Sequence, residues 1–78
     1  MEKETLLKNL GARIREIRNK KGISQKQLAH SIGKDQQSVQ RLEAGNINPT
    51  YYYLSEIADG LEVDLEVLIK RDGANSNV

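Results

Sequence analysis

The sequence predicts a small all-α domain of five helices, and three observations predict it. Apolar residues recur at helical spacing in five separate stretches. Glycines and capping residues punctuate those stretches. No segment alternates apolar and polar residues over a useful length, and none repeats another or is of low complexity.

The first helix follows from Leu7, Leu10, Ile14 and Ile17, which fall at i, i+3, i+7 and i+10 and make one stripe about four turns long. Lys20 and Lys21 suit its negative C-terminal end, and Gly22 can take the left-handed cap. Ser24-Gln25-Lys26-Gln27 reads as a capping box: the serine hydroxyl accepts from an amide one turn in, and Gln27 reaches back. The second helix then carries Leu28, Ala29 and Ile32 and stops at Gly33. Asp35 is a good N-cap for a third, with Val39 and Leu42 inward and Gly45 ending it. Pro49-Thr50 opens a fourth, with Tyr51, Leu54, Ile57, Ala58 and Leu61 in register. Asp64 is placed to cap a short fifth bearing Leu65, Leu68 and Ile69. One domain is expected over residues 5–70, followed by a polar tail, 71–78.

At 78 residues the chain has room for one small core, so its stability should be marginal unless it is stapled or oligomeric. It has no cysteine, which removes disulfides, thiol catalysis and thiolate metal sites. His30, the only histidine, has no ligand partner at metal spacing and reads as a surface residue, so neither a metal nor a cofactor is expected. No apolar run approaches the ~20 residues of a membrane span, and the N-terminus lacks a signal peptide's apolar core. A soluble, cytoplasmic domain with no membrane partner is the expectation.

The net charge of +1 conceals an asymmetry. From Lys8 to Arg41 nine basic residues face two acidic ones, a local balance of +7. From Leu42 onward seven acidic residues face two basic ones, giving −5. A basic half joined to an acidic half is what a chain shows when one face meets a polyanion.

The second and third helices are the informative pair. Ala29, Gly33, Val39 and Leu42 are spaced as two short helices need in order to cross closely. The small residue lets the backbones approach, the glycine turns the chain, and the branched residues fill the wedge. On the outer side, two adjacent glutamines, Gln36 and Gln37, open the third helix, where they add little to stability.

From Leu10 to Ile69 the chain resembles the helix-turn-helix domain of the Cro/C1 (XRE) family of phage and bacterial repressors, which has a five-helix, lambda-repressor-like fold. The stretches that carry the resemblance are IREIRNKKGISQKQLA, Gly33, QQSVQRLEAG, NPT and LEVDLEVLI, in that order. Gln36-Gln37-Ser38 resembles the start of the recognition helix in one lambdoid subgroup.

The resemblance implies that the third helix enters the major groove of double-stranded DNA N-terminal end first. Gln36 then offers its amide to the N6 and N7 of adenine, Gln37 and Gln40 reach neighbouring pairs, and Arg41 takes guanine or a phosphate. Ser24, Gln25, Lys26, Lys34, Ser38, Asn46 and Asn48 are the expected phosphate contacts, and Gln25 would also brace Gln36. Arg18 and Glu43 match a buried ion pair linking helix one to the end of helix three, which takes Arg18 out of the DNA-binding set. Tyr51 matches a core position, leaving Tyr52 and Tyr53 for solvent, a phosphate or a partner subunit.

A palindromic operator calls for a homodimer, because one helix-turn-helix unit reads only a few base pairs. The dense apolar run Val63, Leu65, Val67, Leu68 and Ile69, with Tyr52 or Tyr53 beside it, is the expected interface. The chain is expected to act as a transcriptional regulator, in the first place a repressor. An antitoxin with a toxin protein as partner and a controller of restriction–modification genes are the alternatives. No nucleophile–base pair, metal cluster or phosphate-cradling glycine loop suggests an enzyme.

Overall fold

The computed structural model describes residues 2–70, so the expected tail at 71–78 lies outside the described residues. Five helices follow one another: α1 (Lys3–Lys20), α2 (Gln25–Ser31), α3 (Gln36–Ala44), α4 (Tyr51–Leu61) and α5 (Leu65–Ile69). No strand occurs among the described residues.

Three helix starts are sealed by side chains. Ser24 Oγ accepts from the Gln27 amide at 3.0 Å and Gln27 Oε1 accepts from the Ser24 amide at 2.8 Å, closing the capping box of α2. Asp35 accepts from the Ser38 amide at 2.9 Å, and Thr50 from the Tyr53 amide at 3.0 Å. Asp64 occupies the N-cap position of α5, but its side chain makes no cap bond, contrary to expectation.

The ends of α1 to α4 share one motif, in which a residue in the left-handed region is followed by an amide that reaches back five residues. Ile23 N donates to Arg18 O, Lys34 N to Ala29 O, Asn46 N to Arg41 O, and Val63 N to Ala58 O. Gly22, Gly33 and Gly45 supply the left-handed residue three times; at the end of α4 it is Glu62, with φ of 60°. Glycine takes this conformation without steric cost, whereas glutamate does not.

The core is built from Ile14 of α1, Leu28 and Ala29 of α2, Val39 and Leu42 of α3, Ile57, Ala58 and Leu61 of α4, and Leu68 of α5. The helix α3 packs chiefly against α1 and α2, while α4 lies against α2 and α5. At Gly11 the backbones of α1 and α3 touch: a Cβ there would stand 2.3 Å from the carbonyl oxygen of Glu43.

The tyrosines are arranged differently from the expectation. Tyr51 is 75% exposed, and the ring that packs against the core is that of Tyr53. Tyr51 is the first residue of α4, and helical side chains lean toward the N-terminus, which aims it past the edge of the domain. Leu68 is 1% exposed, spent on the monomer's own core, and so leaves the set of expected interface residues. Around it Val67 and Ile69 are exposed, Val63 and Leu65 are half-buried and pack on the core, and Tyr52 is exposed. No helix among the described residues is long and apolar enough to cross a membrane.

Candidate nucleic-acid interface

The two sides of α3 differ completely. Val39, Leu42 and Glu43 are buried, and Gln36, Gln37, Gln40 and Arg41 are all exposed. Gln37 and Gln40 are an i+3 pair, and Gln36 with Gln40 and Gln37 with Arg41 are i+4 pairs, so the four exposed side chains share one helical face. They offer three amides, each both donor and acceptor, and one guanidinium fork.

Beside the start of α3 runs an open groove against α2, lined by Lys26, Gln27, Ala29, His30, Lys34 and Gln36. The fold thus brings Lys26 and Lys34, expected phosphate ligands, to the same groove as Gln36. Ser24, Asn46 and Asn48 are exposed at flanking turns. His30 is exposed, as expected, and also lines this groove, a placement that its spacing along the chain does not foretell. Among the described residues no group of histidines and carboxylates could hold a metal ion.

The inner end of α3 is locked by a buried ionic cluster. Arg18 Nε donates to Glu43 Oε2 at 2.6 Å and Nη2 to Oε1 at 2.9 Å, a bidentate pair with Arg18 8% and Glu43 4% exposed. Arg18 Nη1 also donates to the carbonyl of Ile23 at 2.8 Å, tying α1 to the start of the α2 segment. The hydrogen bonds to Glu43 raise the guanidinium pKa above its ordinary value, outweighing the opposing effect of burial. Gln25 completes the cluster, its Nε2 donating to Glu43 Oε1 at 3.0 Å. Among the described residues the Gln25 side chain thus bonds Glu43 rather than Gln36.

Ser38 is half-buried, and its hydroxyl lies 2.7 Å from that of Tyr53. Lys34 Nζ stands 5.6 Å from the centre of the Tyr53 ring and 3.7 Å from Glu56 Oε1. From sequence, Tyr53 is left to solvent, a phosphate or the dimer interface, and Glu56 has no role. Their partners lie 15 and 22 positions away, and no local pattern connects them.

Residues 14–68, well over half of the chain, match a family model described as Helix-turn-helix. The fold is similar to that of the restriction–modification controller protein C.AhdI from Aeromonas hydrophila, with a TM-score of 0.83 and 31% identity over 87% of this chain and 99% of that one. It is similar to the hypothetical transcription factor NHTF from Neisseria, with a TM-score of 0.79 and 28% identity over 88% of this chain and 79% of that one. It also resembles the clp gene regulator ClgR from C. glutamicum, with a TM-score of 0.78 and 27% identity over 94% of each chain. No curated protein sequence matches. An exposed polar face on α3, a turn closed by Gly33 and a family match running from α1 to α5 lead to one assignment: the chain belongs to the Cro/C1-type (XRE) helix-turn-helix family, DNA-binding transcription regulators rather than enzymes.

Proposed function

We propose that this protein is a cytoplasmic, sequence-specific regulator, in the first place a repressor, that reads a palindromic operator as a homodimer. The observation that carries the reading is the single exposed face of α3, where Gln36, Gln37, Gln40 and Arg41 stand opposite a fully buried anchor. Gln36 makes the bidentate contact to adenine, Gln37 and Gln40 read neighbouring pairs, and Arg41 takes guanine or a phosphate. Ser24, Lys26, Lys34, Asn46 and Asn48 hold the backbone on either side. Gln25 keeps a second amide N–H for a phosphate while the first stays on Glu43. Selection of bound duplexes from a random pool tests this directly: a palindromic consensus is expected, and a pool that stays random would refute it.

Dimerisation is supported by what the monomer leaves uncovered. Val67 and Ile69 are 39% and 50% exposed on α5, and Leu6 on α1 is 44% exposed. Leu6 and Ile69 border an apolar groove of about 350 Å³ between α1 and α5. A two-fold contact would set Val67 near its own copy, so Val67→Glu should yield monomers in sedimentation. A wild type that stays monomeric at tens of micromolar, with and without DNA, would exclude the dimer.

The likeness to C.AhdI supports a second reading, in which the regulated genes belong to a restriction–modification system. An antitoxin that binds a toxin protein is the third. Co-purification with a second chain would select it.

A further inference from the structure

We propose that Tyr53 is a positioning residue for DNA reading, holding the outer end of α3 through Ser38; the proposal rests on the reading of α3 as the recognition helix. The inner end of α3 is fixed by Glu43, Arg18 and Gln25, but among the described residues no such ionic cluster holds the end that carries Gln36 and Gln37. There α3 contributes Val39 to the core and then runs out into solvent. The helix α4 lies chiefly against α2 and α5 rather than along α3, so the hydroxyl–hydroxyl bond of Ser38 and Tyr53, at 2.7 Å, is a specific tie between two elements that make little other direct contact outside the shared core.

Tyr53 is itself well fixed. Its ring packs on the core and its amide is held by Thr50 Oγ1 at 3.0 Å. The Lys34 ammonium stands 5.6 Å from the ring, and Glu56, one turn further along α4, lies 3.7 Å from that ammonium. One face of α4 therefore meets both the turn before α3, at Lys34, and the first turn of α3, at Ser38. A bidentate glutamine–adenine contact tolerates placement errors of only about 0.5 Å. Ser38 directly follows Gln37, so a tie at Ser38 limits the rocking that would spoil that contact. Tyr53 touches no base in this scheme; it sets where the glutamines stand.

Tyr53→Phe isolates the claim, because it keeps the ring, its core packing and its place beside Lys34, and removes only the hydroxyl. Affinities of wild type, Tyr53→Phe, Ser38→Ala and the double variant would be measured on the selected operator duplex and on a random duplex of equal length, with thermal midpoints alongside. Losing one hydrogen bond of ordinary strength should cut the operator-to-random affinity ratio by about three- to tenfold in Tyr53→Phe. Binding to random DNA should stay nearly unchanged, and the thermal midpoint should fall by no more than the several degrees that one such bond is worth. The double variant should lose no more of the ratio than either single one.

A folded Tyr53→Phe with the wild-type ratio overturns the proposal. So does a Ser38→Ala loss shared equally by operator and random DNA, which would make Ser38 a direct phosphate ligand. A wild type with no preference for any duplex fails differently, since it removes the recognition-helix reading itself and the positioning role with it.

Discussion

The two ends of α3 are built in opposite ways, although only nine residues span the helix. At the inner end Glu43 is buried and accepts from Arg18 twice and from Gln25 once, and Gly11 brings α1 into contact with the backbone. At the outer end Gln36 and Gln37 are exposed, steadied by a cap from Asp35, the hydroxyl of Tyr53 and the burial of Val39. The difference separates two tasks. Holding a helix needs buried, paired groups, and reading a base edge needs groups whose donors and acceptors are left unsatisfied by the protein. One short helix meets both demands by dividing them along its length.

Substitutions in and around α3 should grade this contrast, with losses of stability shrinking from the inner end outward. Arg18→Met should be the most damaging, at about 3–5 kcal/mol, because it strands the buried Glu43 carboxylate. Chemical denaturation checks it, and pairing Arg18→Met with Glu43→Leu should recover much of the loss. A neutral single variant would mean that the cluster does not anchor α3. Gly11→Ala comes next, with about 1–3 kcal/mol lost as α1 is pushed off α3. Alanine's better helix propensity offsets part of that, so a variant as stable as wild type would show that the two backbones can separate freely.

Asp35→Ala removes the outer cap and should cost about 1 kcal/mol in the same denaturation assay. Gln36→Ala should leave stability within about 0.5 kcal/mol, as exposed positions do. Its effect belongs to DNA: about 1–3 kcal/mol on the selected operator and much less on random sequence. Equal losses on both would show that Gln36 does not read bases, and a large loss of stability would erase the contrast between the two ends.

What was legible in the sequence was mostly local. The capping box at Ser24, the cap at Asp35 and the turns at Gly22, Gly33 and Gly45 depend on residues a few positions apart, and the structure contains each of them. Family resemblance, and not periodicity, pointed to the pairing of Arg18 with Glu43, which are 25 positions apart. Tyr51 and Tyr53 could not be sorted by period, because the first turn of a helix extends past the core it would face. Nor does spacing tell whether an apolar residue in a five-residue helix is buried, which is why Leu68 was grouped with its exposed neighbours. The ties from Tyr53 to Ser38 and from Glu56 to Lys34 exist only once α4 has docked.

The closed helix ends described earlier also bear on how quickly this chain reaches its fold. Each cap of α2, α3 and α4, and each left-handed turn from Gly22 to Glu62, joins residues no more than five apart. Such contacts form without first closing a long loop, so little chain entropy opposes them. Domains dominated by near-neighbour contacts fold in microseconds to milliseconds. The late events are those that join distant positions, among them the packing of α1 against α5 and the meeting of Arg18 with Glu43. The bond that anchors the reading helix is thus expected to be among the last to form, on helices whose ends are already closed.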